Sequence, residues 1–130
     1  MSNNESTINN DLLIECKYFR KYPIENTSEI IEKIKAELSQ LITDFNKSNQ
    51  EQEIFVEKSN LSIYPIILVD TFPDSQYSYF YKFNCCWNIS LEKTIFNSQK
   101  FKDDFKQLFS ETFDNFEDGT IKINSISYVV

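Results

Sequence analysis

The side chains whose types suit acid–base chemistry or a divalent cation are carboxylates: Asp70, Asp74, Asp103, Asp104, Glu111, Asp114, Glu117 and Asp118. Such chemistry needs at least two of them to converge in a cleft. Their spacing fits helix surface and turns instead, so the sequence predicts a solvated acidic rim around a second helix. Histidine is absent and glycine occurs once, at Gly119. Without histidine there is no Ser-His-Asp or Cys-His constellation and no histidine-bearing zinc site. Without several glycines there is no loop that wraps a phosphate closely. No catalytic residue and no cofactor site is therefore expected.

Two further clusters hold groups that bind metals or react. The run Asp114-Asn115-Phe116-Glu117-Asp118-Gly119 resembles half of a calcium loop when Asp114 is counted as position one. Phe116 then stands at position three and Ser125 at position twelve, where an oxygen ligand and a bidentate glutamate belong. A helix end followed by a turn is the expected structure, with no metal. Cys16, Cys85 and Cys86 are odd in number and make no disulfide framework. Neighbours on a strand point to opposite faces, which disfavours a Cys85–Cys86 bond. A reactive thiol needs an electropositive setting, and Lys82 is the only cation near the pair in sequence. The cysteines read as small hydrophobes, with Cys16 able to meet Cys85 across a sheet in the reduced state.

The elements that position these groups follow from periodicity. Tyr77 to Glu92 alternates without glycine or proline: Tyr77, Tyr79, Tyr81, Phe83, Cys85, Trp87, Ile89 and Leu91 on one side, a mostly polar set on the other. Alternate side chains face opposite ways along a strand, so this is one long ribbon with an aromatic face. At about 3.3 Å per residue it spans roughly 50 Å. Asp11 to Phe19 is predicted as a first strand after a flexible polar lead, residues 1–10. Thr27 or Ser28 caps a helix striped with Ile30, Ile31, Ile34, Leu38, Leu41, Ile42 and Phe45. Glu53 to Lys58 and Leu61 to Asp70 read as strands around a Ser59-Asn60 turn, with Pro65 marking an edge or a bulge. Asn97 or Ser98 caps a second helix striped with Phe101, Phe105, Leu108, Phe109, Phe113 and Phe116. In the final strand, Thr120 to Val130, the apolar parity slips between Ile123 and Ile126. A bulge near Asn124-Ser125 would return Ile121, Ile123, Ile126, Tyr128 and Val130 to one face.

The predicted class is α+β, in the order β-α-β-β-β-α-β: a mainly antiparallel sheet with two amphipathic helices packed on one face, forming a single domain over residues 11–130. The central helix–three-strand–helix order is similar to that of secretion chaperones and of double-stranded-RNA-binding domains. The leading strand departs from the first and the missing basic motif from the second, so no residue role is carried over. The commonest fate of the aromatic face is the core. Its Tyr77–Tyr81 end is also read as an interaction patch projecting past the helices, because tyrosine concentrates at interfaces. Phe80, on the wet face, needs cover from a loop, a terminus or a partner.

The formal net charge is −7. It repels phosphate backbones and anionic membranes, attracts a basic protein, and makes direct nucleic-acid binding and membrane contact poor expectations. Met1 to Asn10 carries no apolar core of a secretory signal, and no run nears the roughly 18 apolar residues of a membrane span, so a cytoplasmic setting is expected. The function expected is non-catalytic protein binding by a monomer or homodimer, most concretely an inhibitor of the immunity type that neutralises a basic enzyme such as a toxin nuclease. Its expected partner-binding residues are Tyr77, Tyr79, Phe80, Tyr81, Asp103, Asp104, Glu111, Asp114, Glu117 and Asp118. The alternatives are a chaperone or adaptor that holds an extended peptide, and a small-molecule pocket lined by Tyr and Trp.

Overall fold

The alternation that dominates the sequence becomes the central strand of the fold. A computed structural model describes residues 7–129. In it β1 (Thr7–Arg20) runs antiparallel to β4 (Tyr79–Glu92) along its full length, from Thr7 opposite Glu92 to Arg20 opposite Tyr79. On the far side of β1 lies β5 (Gly119–Val129), also antiparallel. Along the other edge of β4, β2 (Ser59–Ile63) and β3 (Ile67–Thr71) follow one another end to end, each antiparallel to it. The five-stranded sheet thus has the order β2-β4-β1-β5, with β3 continuing the row of β2.

Among the described residues three α-helices complete the α+β fold: α1 (Thr27–Ser48), the single turn α2 (Lys93–Phe96) and α3 (Gln99–Phe113). The side chain of Asn26 caps α1 by accepting from the Glu29 N–H at 3.1 Å, one residue before the expected cap. Ser98 caps α3 by accepting from the Phe101 N–H at 3.1 Å. Both long helices press their apolar stripes onto the same face of the sheet. From α1 come Ile30, Ile34, Leu38, Leu41 and Phe45; from α3 come Phe101, Phe105, Phe109 and Phe113. The sheet answers with Leu12, Ile14, Cys16 and Tyr18 of β1 and with Tyr81, Phe83, Cys85, Trp87, Ile89 and Leu91 of β4. The rings of α3 form a continuous ladder, from Phe101–Phe105 at 6.2 Å to Phe109–Phe113 at 4.7 Å; Phe116, expected on the same stripe, lies past the helix end and continues the ladder from the turn, 5.4 Å from Phe113. Each such ring contributes about 1.5–3 kcal/mol by leaving water.

Four details of the strands depart from the sequence reading, each for a local reason. β1 begins at Thr7, not Asp11, because β4 is long enough to pair with residues 7–10; the rest of the expected lead, residues 1–6, lies outside the described residues. Glu53 to Lys58 forms no strand. Its backbone is taken by a side chain: Asn46 accepts from the Val56 N–H at 2.8 Å and donates to the Val56 carbonyl at 3.1 Å. Ser59 and Asn60 open β2 instead of turning the chain. The strand expected over Leu61 to Asp70 is interrupted between Ile63 and Ile67, around Pro65, which has no N–H to donate to β4. The edge position foreseen for this segment holds. So does the bulge in β5: Glu15 faces Ser125 and Cys16 faces Ile123, leaving Asn124 as the extra residue. Ile121, Ile123, Ile126 and Tyr128 consequently all pack on the core; Val130 lies outside the described residues.

Candidate functional site

The aromatic ribbon divides into core and surface at its first residues. Tyr81 is 6% exposed, and its hydroxyl accepts from the Ile24 N–H at 2.9 Å, tying down the connector before α1. That side chain belongs to the fold and offers nothing to a partner. Tyr79 is half-buried against the core and Tyr77 precedes the strand, also partly buried. Phe80, on the opposite face, finds its cover across the strand: its ring stacks on Phe19 at 4.8 Å, with the planes 7° apart.

The acidic residues do not share one surface. Asp103 accepts from Gln99 at 2.9 Å, Glu111 from Gln107 at 3.1 Å, and Asp104 pairs with Lys100 at 2.7 Å, all one helical turn away. Glu117 pairs with Lys33 of α1 at 3.1 Å, a contact that raises the pKa of the lysine. Asp114 and Asp118 are exposed. Gly119 pairs with Arg20 and Arg20 with Tyr79, so Glu117 and Asp118 sit at the Tyr79 end of the sheet. Asp103 and Asp104 sit at the opposite end of α3. The expected site is therefore two places, of which only one adjoins the tyrosines.

Asp114 to Gly119 is a turn, as expected. Phe116 and Gly119 exchange two backbone hydrogen bonds of 2.8 Å, and Glu117 and Asp118 between them have φ of 45° and 60°. Both lie in the left-handed region that a type I′ hairpin demands and that glycine and asparagine fill best. Arg20 Nε reaches the Glu117 carbonyl at 3.4 Å, which helps hold the turn. Asp118→Gly is expected to raise stability by about 0.5–1 kcal/mol by relieving the backbone. Equilibrium urea unfolding of the two forms measures this, and a destabilised variant would refute the strain.

Among the described residues no group of three or more Cys, Asp or Glu is placed to hold a metal ion. Cys16, Cys85 and Cys86 are free. A hydrogen bond with Cys85, then burial, pushes the Cys16 thiol pKa upward, away from the reactive thiolate. Burial likewise raises the phenols of Tyr18 and Tyr128, the latter to about 12. The Tyr- and Trp-lined cavity does not form at Trp87, which packs edge-on against Phe105 at 5.9 Å and is 1% exposed. An open groove of about 720 Å³ lies instead between α3 and β5, floored by Phe109, Ile121, Ile123 and Ile126.

The surface that periodicity did not single out is β3. All five of its residues are exposed, with Ile67, Leu68 and Val69 at 63%, 49% and 48%. Tyr64 before it and Phe72 after it are also exposed. Thr71 pairs with Tyr79 and Asp70 with Phe80, so this apolar edge is continuous with the partly buried end of the aromatic ribbon. The sequence signal was the apolar run Ile63 to Val69 around Pro65; that it lies beyond the cover of the helices was not readable from it.

No family model matches the chain, and no curated protein matches it. Among solved structures, the full extracellular region of zebrafish Gpr126/Adgrg6 superposes with a TM-score of 0.42 and 9% identity, over 96% of this chain and 14% of that one. The chain thus spans about a seventh of that structure's length, and a likeness of this degree carries no argument about fold or function.

No helix among the described residues is long and apolar enough to cross a membrane.

Proposed function

We propose that this domain binds another protein and performs no reaction itself, with the β3 edge and the adjoining Tyr77, Tyr79 and Phe80 as the contact. The observation that carries the reading is the exposure of three consecutive apolar side chains, Ile67, Leu68 and Val69, on an edge strand. Exposed strand edges with apolar side chains are sites where chains associate, and contiguous apolar surface marks interfaces. The most concrete form is an inhibitor of the immunity type that covers a basic enzyme such as a toxin nuclease in the cytoplasm. The net charge of −7 supports a basic partner, since opposite fields speed encounter at low salt. The unpaired backbone of the β3 edge also favours a second reading, a chaperone or adaptor that adds an extended peptide to the sheet.

The test is capture of partners from host lysate by the tagged protein and by its Leu68→Glu and Val69→Glu variants, at low and high salt. Both side chains are half exposed, so the variants are expected to fold. A basic partner, lost as salt rises and weakened about 30-fold or more by the variants, is the expected result. A partner that both variants bind unchanged would refute the surface, and an acidic or salt-indifferent partner would refute the electrostatic part.

A further inference from the structure

The helix-free face of the sheet carries a feature that an acidic protein has no structural need for. Lys82 on β4 is directly opposite Lys17 on β1, and Lys17 is directly opposite Lys122 on β5. Three ammonium-bearing residues thus stand side by side on adjacent strands, in a row of about 10 Å at the usual strand spacing. Register places all three on the face away from the core, since their neighbours Cys16, Tyr18, Tyr81, Phe83 and Ile121 are buried on the other.

Like charges directly opposite one another destabilise a sheet, and among the described residues no ion pair offsets this row. Among the described residues the ion pairs belong to Lys33 and Lys100, and none reaches Lys17, Lys82 or Lys122. Glu15, two residues from Lys17 on this face, accepts from Asn124. On one side of the row stand polar residues, Asn84, Glu15 and Ser125; on the other the surface is apolar. The Phe19–Phe80 stack lies on this apolar side, Lys82 Nζ is 5.9 Å from the Phe80 ring, and Ile67, facing Lys82, is 63% exposed. Leu13 and Tyr64 flank a shallow groove beyond Glu15 and are 44% and 53% exposed.

From this charge pattern we infer that the bare sheet face is a second binding surface, and that its occupant is an acidic amphipathic helix of a partner protein. Sheets bury a face under helices, as this one does on its other side, and a helix there would need an apolar stripe for Phe19, Phe80, Leu13 and Tyr64. Carboxylates flanking that stripe would meet the three lysines. A nucleic acid fits less well. Three cations are few for a phosphate backbone, and the two phenylalanine rings stack on each other and not outward for a base. The surface meets the proposed basic partner's contact at Phe80 and Ile67 but extends from there across β1 to β5, away from the β3 edge.

Fluorescence anisotropy tests the inference with a labelled helical peptide of about 18 residues carrying a leucine stripe flanked by glutamates. The same peptide with lysines in place of the glutamates serves as control, and a labelled single-stranded oligonucleotide as rival. The acidic peptide alone is expected to bind, more weakly as salt rises, and the combined Lys17→Gln, Lys82→Gln and Lys122→Gln variant to lose about tenfold or more in affinity. That variant is also expected to melt at higher temperature than the parent, because the repulsion is gone; Lys122→Gln alone gives a smaller change in the same directions. Absence of acidic-peptide binding, equal binding of the basic control, or indifference to the substitutions overturns the inference. Preference for the oligonucleotide overturns the class of partner. Self-association of the protein that excludes the peptide, seen by sedimentation, assigns the face to a second copy and overturns it as well.

Discussion

Replacing Trp87 with alanine is expected to cost about 3–5 kcal/mol, the largest loss from any single side chain in the domain. Trp87 sits at the centre of the sheet, with Leu12 of β1 opposite it on one side and Leu61 of β2 on the other. Its ring meets Phe105 of α3 at 5.9 Å, so it bridges the sheet and the helical layer. Removing it leaves a cavity walled by paired strands and a helix, none free to collapse. A domain of this kind is stable by about 5–15 kcal/mol, so the loss takes a large share. The indole N–H is buried and finds no acceptor among the described residues, which makes it a liability and not a bond. Trp87→Phe therefore keeps most of the packing, sheds the unpaired donor and is expected to cost less than about 1.5 kcal/mol. Urea unfolding followed by circular dichroism compares the two. Equal losses would show that the indole N–H contributes a bond not evident in its surroundings.

Gly119→Ala is expected to cost about 2–4 kcal/mol, for a reason that has nothing to do with backbone freedom. No glycine here has positive φ. A β-carbon at this position would stand 2.0 Å from the Phe19 carbonyl oxygen and 3.0 Å from the Arg20 α-carbon. Those are backbone atoms of the neighbouring strand, and they cannot swing aside as a side chain does. Gly119 pairs with Arg20 in the ladder, and the Lys21 N–H donates to the Asp118 carbonyl at 3.2 Å just beyond it. Separating the strands to admit a methyl group would break that anchor and loosen the turn that carries Glu117 and Asp118. Thermal unfolding together with amide exchange at Lys21 measures both effects. A variant within about 0.5 kcal/mol of the parent, with Lys21 still protected, would contradict the close approach.

These two positions mark how far the sequence could be read. Trp87 lies on the apolar parity of an uninterrupted alternation, and its burial follows from period two alone. Gly119 read only as the end of a helical region, because the atoms that demand glycine are about a hundred residues away in the chain. The bulge at Asn124 was legible because a parity slip has one cheap remedy, whereas the Asn46 clamp on Val56 was not, because a side chain bonding backbone ten residues on leaves no periodic trace. Of the candidate site, the aromatic strand was legible, but Tyr81's role in holding Ile24 and the scatter of the acids around α3 were not.

By itself the sequence determined the class of the fold, the strand and helix order, the faces of β1, β4, α1 and α3, and the negative charge with no histidine. Those properties are set by residue type and spacing along one element, where side-chain direction repeats every two or every 3.6 residues. Only the tertiary structure decided which apolar residues remain outside and which charges become neighbours. Leu68 and Val69 are as apolar as core residues, yet they stay exposed because β3 runs past the helices that cover the rest of β4. Lys17, Lys82 and Lys122 are far apart in the chain, and the register of three antiparallel strands alone brings them into one row.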